Sequence, residues 1–294
     1  MTVEGAMSEI FKEGYFTEQC PLWPGRALSV RILETLETVE TDYQLLEIFR
    51  GEGFGKMLAL DGKIQLAESD EFIYHEMFAH VPCFAHEEPE RVLVIGGGDG
   101  GVVRELLKHS CIEQIDLCEI DEQVAELCSR HFAWTEKALN DPRVDLHFLD
   151  GAAFVKNRPG WYDLVLVDGP DPIGPGETLF TKNFLADCKR ALKPGGILVS
   201  QSESYLLHPE ITEAQCRIFR DLFAHSGYYS FSIPSYPGGS LGFCIGCDDH
   251  RVDVPFRRPI GSFVRRLKMY SMAVHKAAFV LPPFWTKRFE TGEE

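Results

Sequence analysis

The stretch Val92-Leu93-Val94-Ile95-Gly96-Gly97-Gly98-Asp99-Gly100-Gly101-Val102-Val103-Arg104-Glu105-Leu106-Leu107 decides the fold. Val92 to Ile95 are apolar without polar alternation, the pattern of a strand buried on both faces in a parallel sheet. Five glycines then fall within six residues, which suits a sharp turn, and the apolar residues after Gly101 recur at helical spacing. Strand, tight turn and helix in that order open a Rossmann-type unit.

Gly96, Gly98 and Gly101 also satisfy G-x-G-x-x-G, the turn that seats a pyrophosphate on a helix N-terminus. Asp99 argues against that ligand, because a carboxylate in the turn repels phosphate and attracts a positively charged nucleoside such as S-adenosylmethionine or a relative.

Outward from this stretch, predicted strands at 92–95, 112–119, 144–149, 163–167 and 197–201 alternate with helices at 101–109, 121–132, 151–157, 182–192 and 208–226. Two further strands near 228–233 and 241–247 close the pattern. Such alternation predicts an α/β, doubly wound, mainly parallel sheet whose ligands sit at the carboxyl ends of the strands. On the N-terminal side, Ala27 to Leu33 and Tyr43 to Phe49 alternate apolar and polar residues, and Leu58 to Gln65 reads as a hairpin with an Asp61-Gly62 turn. We therefore divide the chain into a small antiparallel β domain, 1–65, and a Rossmann-like domain, 66–294, entered through a helix over 70–80.

The carboxyl ends of the predicted strands repeatedly carry an acid: Asp99, Glu119, Asp150 and then Asp168 with Asp171. Glu119 stands 23 residues past Gly96, near where such a fold places the acid that binds ribose hydroxyls. Asp150 beside Gly151 suits an adenine amino group, the glycine allowing close approach. Each acid is also a natural helix N-cap, but five on one rim repel one another unless a cation compensates, so a polycationic ligand is the economical reading.

Composition agrees. The 294 residues carry 29 Lys and Arg against 45 Asp and Glu, a formal charge of −16 that disfavours nucleic acid and anionic membranes as partners. No run of ~18 uncharged apolar residues marks a membrane span, and no signal peptide is expected. Nine scattered cysteines suit a reducing, cytoplasmic compartment. No metal is expected: Cys244-Ile245-Gly246-Cys247 lacks a second pair, and His75 and His80, five apart on a helix, fall on different faces.

At this point the chain resembles the polyamine aminopropyltransferases. The likeness rests on Pro21 to Gly25, Leu60 to Gln65, Asp70 to Met77, Gly96 to Gly101, Cys118 to Asp121, Asp168 to Pro175, Pro234 to Gly239 and His275 to Pro282, in that order over nearly the whole chain. The resemblance implies a Rossmann-like, methyltransferase-type fold behind a small N-terminal β domain, in a homodimer or homotetramer. It implies transfer of the aminopropyl group of decarboxylated S-adenosylmethionine, a co-substrate, to an amine, usually putrescine, with no permanently bound cofactor. Agmatine, cadaverine or a longer polyamine is the alternative acceptor. Residue by residue, the resemblance gives Gln44, His75, Asp99, Glu119, Asp150 and Gly151 to the nucleoside donor. It gives Asp168, Tyr74 and Tyr236 to the attacking amine, and Asp171, Gln201 and Trp23 to the acceptor pocket. One departure stands out: Gly169-Pro170 lie between the two aspartates where the family commonly has small hydroxyl residues. A methyltransferase and a binding module without turnover are the rival readings; binding alone needs no base, so Asp168 together with Asp171 speaks against the second.

Overall fold

A computed structural model describes residues 14–19, 21–22, 24–169, 174–255 and 261–291. The chain divides into two compact units, one of residues 1–71 with 233–239, the other of 72–232 with 240–294.

In the first unit, among the described residues, β1 (Tyr15–Glu18), β2 (Leu28–Glu40), β3 (Leu45–Gly51), β4 (Gly55–Leu60) and β5 (Lys63–Ala67) pair antiparallel in chain order. Phe16, Val30, Phe49, Met57 and Ile64 form one apolar cluster, where Phe16 stacks on Phe49 at 4.6 Å. Asp61 and Gly62 turn the β4–β5 hairpin with φ of 46° and 69°, the left-handed pair that an Asp-Gly turn supplies at low cost. Residues 233–239 join this unit through two hydrogen bonds: Ser235 N donates to Asp70 Oδ2 at 2.8 Å, and Tyr236 Oη donates to the Gln65 carbonyl at 2.6 Å.

The second unit is built on β6 (Arg91–Gly96), β7 (Gln114–Glu119), β8 (Val144–Phe148), β9 (Tyr162–Asp168), β10 (Leu192–Ser202), β11 (His225–Ser232) and β12 (Ser240–Cys247). Their order is β11-β12-β10-β9-β6-β7-β8; the five from β10 to β8 run parallel, and β12 and β11 join antiparallel. Strand order reverses between β6 and β9, so the crevice at their carboxyl ends is the topological switch point where this architecture binds ligands. The expected doubly wound, mainly parallel sheet is what the chain forms.

Helices α1 (Glu71–Ala85), α2 (Gly101–Leu106), α3 (Glu122–His131), α4 (Thr135–Leu139), α5 (Gly151–Val155), α6 (Lys182–Ala191) and α7 (Pro209–Leu222) accompany the sheet, and α8 (Met272–Ala278) and α9 (Pro283–Thr291) complete the chain. Leu93, Ile95, Val165, Val167 and Leu198 from the central strands pack with Phe184, Leu185 and Phe219 of α6 and α7 in one core cluster. Among the described residues no helix is long and apolar enough to cross a membrane.

Candidate active site

β6 delivers its turn to the switch point with Gly96, Gly97 and Gly100 at φ of 80°, 75° and 73°. Gly96 is opposite Asp168 in the β6–β9 register, and a Cβ there would lie 1.9 Å from the Asp168 carbonyl oxygen. Only glycine lets the two strand ends run side by side and set Asp168 over the turn.

The turn then presents its acids. Gly98 N donates to Glu119 Oε2 at 3.1 Å and Asp121 N to Oε1 at 3.0 Å, which fixes the carboxylate at the tip of β7. Asp99 Oδ1 accepts from Gly101 N at 2.8 Å, while its backbone carbonyl accepts from Thr135 Oγ1 at 2.5 Å and Trp134 Nε1 at 3.2 Å. His75 Nε2 stands 3.3 Å from Asp99 Oδ1. Its ring lies so close over Gly101 that a Cβ there would fall 2.2 Å from Cε1.

Tyr74 closes the group. Its hydroxyl donates to Asp168 Oδ1 and lies 2.6 Å from Gln201 Oε1. A phenol carries one hydrogen, so both bonds coexist only if one partner donates to it. A protonated Asp168 does so with Gln201 as placed; an ionised Asp168 takes the phenol hydrogen and requires Gln201 to turn its amide nitrogen inward.

The electrostatics hold the Asp168 carboxyl near the balance between these two states. Burial, helped by the charges of Asp99 and Glu119 and opposed by the Tyr74 bond and His75, pushes the Asp168 carboxyl up to about 7. Burial likewise pushes Glu119 up to about 7 against the amides of Asp121 and Gly98. Asp168 and Glu119 thus lie where a bound cation decides their ionisation.

The second unit therefore brings Tyr74, His75, Asp99, Glu119, Asp168 and Gln201 to one crevice. Asp150 and Gly151 lie at the end of β8; Asp150 is exposed and caps α5 by accepting from Ala152 N at 2.8 Å. The missing Cβ of Gly151 makes room for Ile95, whose Cγ2 would be 2.5 Å away. Gln44 and Tyr236 belong to the first unit, and Trp23 and Asp171 lie outside the described residues. Gln215 escaped the sequence reading: its amide reaches the Gln201 carbonyl at 2.8 Å and Ser200 Oγ at 2.9 Å, bracing β10 behind Gln201 from a helix with no unusual pattern.

His75 and His80 fall on different faces of α1, as their spacing predicts. His80 turns from His75 to Glu105 and His109, each at 2.9 Å. Cys244 meets Cys216 at 3.5 Å, and Cys247 meets His250. None of the eight described cysteines forms a disulfide.

The sequence pattern of the family described as "Spermine/spermidine synthase domain" matches residues 71–255, and that of the "Spermidine synthase tetramerisation domain" matches 14–68. The chain belongs to the spermine/spermidine synthase family. Its curated relatives in this family of polyamine aminopropyltransferases include spermidine synthase 2 of Datura stramonium, 44% identical over 95% of this chain and 90% of that one. A polyamine aminopropyltransferase of Leptospira biflexa is 43% identical over 92% and 96%. Among solved structures, a spermidine synthase in complex with the transition-state analogue AdoDATO aligns with TM-score 0.87 at 31% identity, covering 96% of this chain and 99% of that one. The Thermotoga maritima spermidine synthase aligns at 0.84 and 29%, covering 96% and 98%. Family membership agrees with a crevice rich in carboxylates and with the switch-point position of Asp168.

Proposed function

We propose that the chain is a spermidine synthase that transfers the aminopropyl group of decarboxylated S-adenosylmethionine to putrescine, releasing spermidine and 5'-methylthioadenosine. The observation that carries this reading is Asp168, a strand-end carboxyl held near neutrality and bonded to Tyr74 beside Asp99.

The donor's carbon is activated by its sulfonium, so the difficulty lies in the amine, which is protonated at neutral pH with a pKa of about 10.4 by analogy with lysine. An ammonium has no lone pair. Asp168 takes the proton, the freed nitrogen attacks the propyl carbon next to sulfur, the carbon–nitrogen bond forms, and the carbon–sulfur pair returns to sulfur as a neutral thioether. Tyr74 orients Asp168 and the nitrogen, with Gln201 behind it. His75, Asp99 and Glu119, with Asp150, Gly151 and Gln44, take the nucleoside donor. Tyr236 works on the amine, and Asp171 and Trp23 line the acceptor pocket; these last roles rest on the family pattern. Gly169-Pro170 favours a second reading, in which the acceptor is another amine such as agmatine or cadaverine. The family match over 14–68 supports a homodimer or homotetramer, and the nine scattered cysteines of the sequence suit a cytoplasmic site of action.

Asp99 explains donor choice: S-adenosylmethionine keeps a carboxylate that Asp99 repels, whereas the decarboxylated donor presents only an ammonium. Asp99→Asn is expected to weaken the decarboxylated donor by roughly tenfold to a hundredfold, the range of a lost charge-assisted bond, and S-adenosylmethionine much less. Calorimetric titration of both ligands against both proteins tests this; equal losses would contradict it.

Donor binding also displaces protons. With Asp168 and Glu119 both near 7, a cation arriving beside them lowers their proton affinity, so binding at pH 7 releases roughly a half to one proton and at pH 9 almost none. Binding heats compared across buffers of different ionisation enthalpy measure it, and a buffer-independent heat at pH 7 would be inconsistent with the raised values.

A further inference from the structure

Tyr74 and His75 are followed by a third buried polar residue with a different task. Successive helix residues turn by about 100°, so Glu76 points to the far side of α1. There its side chain, 3% exposed, meets the backbone of the segment before α8. Oε1 accepts from Lys268 N at 3.0 Å, and Oε2 accepts from Met269 N at 2.7 Å and Tyr270 N at 2.9 Å. Three amides thus converge on one buried carboxylate.

The same segment lies along the helix on both sides of that anchor. The Lys268 ammonium sits over the Phe72 ring at 4.7 Å, and Tyr270 stacks on Phe84 at 5.2 Å and meets His80 edge-on at 5.4 Å. The anchored residues lie beyond 255, where the match to the synthase domain ends.

We propose that Glu76 is a positioning residue: by binding the amides of 268–270 it fixes the rotation of α1, and through it the bond of Tyr74 to Asp168 and the seat of His75 between Asp99 and Gly101. The inference rests on the functional reading for its consequence in catalysis but not for its geometry. A rotation of α1 that shifts Tyr74 removes a hydrogen bond that favours the Asp168 anion. The other groups facing Asp168, namely His75 on the same helix, Asp99 in the turn, Glu119 on β7 and Gln201 on β10 through Tyr74, do not replace it.

The test is Glu76→Gln in the full chain, with Glu76→Asp read in the same way should the amide variant not fold. The primary readout is the titration of the Asp168 carboxyl by carbon-13 NMR, assigned with Asp168→Asn, which needs no turnover. We expect the midpoint to rise by at least half a pH unit. We also expect the amides of 268–270 to exchange faster, kcat per folded site to fall at least tenfold, and donor KM to rise several-fold. A role confined to stability would lower the folded fraction and leave the titration midpoint and KM unmoved; that result, with faster exchange at 268–270, would overturn the proposal. Wild-type protein that moves no aminopropyl group would count against the functional reading alone, since the titration still decides the role of Glu76.

Discussion

Asp168→Asn is expected to lower aminopropyl transfer by about a thousandfold and to leave donor affinity within a few-fold. General-base catalysis contributes typically 10²–10⁴ in rate, and here the base faces an amine that is almost wholly protonated at neutral pH. The asparagine keeps the shape, and its carbonyl still accepts from the Tyr74 hydroxyl, so the crevice remains built. It cannot take the proton. In the proposed function the donor's ammonium is bound through Asp99, which the substitution leaves in place. Single-turnover rates at saturating donor, with binding followed separately, measure both halves of the expectation, and turnover within tenfold of wild type would remove Asp168 from the role of base.

Gly96→Ala damages both stability and chemistry. The residue sits at φ 80°, where a left-handed backbone costs a side-chain-bearing residue about 1–2 kcal/mol, and the new methyl would lie 1.9 Å from the Asp168 carbonyl oxygen. That oxygen belongs to the backbone at the end of β9 and cannot swing aside, so β6 and β9 must separate where Asp168 is positioned. Misplacing a catalytic group by about 1 Å costs on the order of a hundredfold in rate, and transfer should fall at least that far along with a clear drop in Tm. Gly160→Ala is the control: φ is 69° but nothing lies within 4 Å, so it carries the left-handed cost without the clash and leaves kcat unchanged. Equal losses in Tm and rate for the two variants would show that strain, not the meeting of the strand ends, is what glycine at 96 relieves.

The parts of the fold that could be read from the sequence are those whose pattern is local. Val92 to Ile95 form the predicted strand because an unbroken apolar run between polar neighbours has few other places to go, and Asp61-Gly62 turns a hairpin because both residues tolerate left-handed angles. Boundaries followed less well. α2 stops at Leu106 instead of running to 109, since Lys108 N and His109 N bond three residues back, to Glu105 and Leu106. β10 begins at Leu192, earlier than the apolar run implies, because Leu192 pairs with Tyr162 before a register shift brings Ile197 opposite Leu164. The five-residue α4 is too short to show a helical period, yet it supplies Thr135, whose hydroxyl fixes the Asp99 carbonyl.

The acids of the site were legible because strand ends are, and a carboxylate at each strand end falls on the same rim. Their partners were not. Tyr74 meets Asp168 across 94 positions and Glu76 meets Met269 across 193, and no spacing rule reaches that far. Gly151 has a packing partner that its sequence neighbours do not show: its bare Cα makes room for the Ile95 side chain. The attachment of 233–239 to the N-terminal unit rests on two hydrogen bonds to Gln65 and Asp70, which likewise leave no trace in periodicity.

The most direct test of the account is to incubate the purified chain with decarboxylated S-adenosylmethionine and putrescine at pH 8 and follow both products by mass spectrometry. Spermidine and 5'-methylthioadenosine should appear in equal amounts, and S-adenosylmethionine offered in place of the decarboxylated donor should yield neither. Methylated amine with a demethylated nucleoside, or donor left unconsumed with every amine tried, would contradict it.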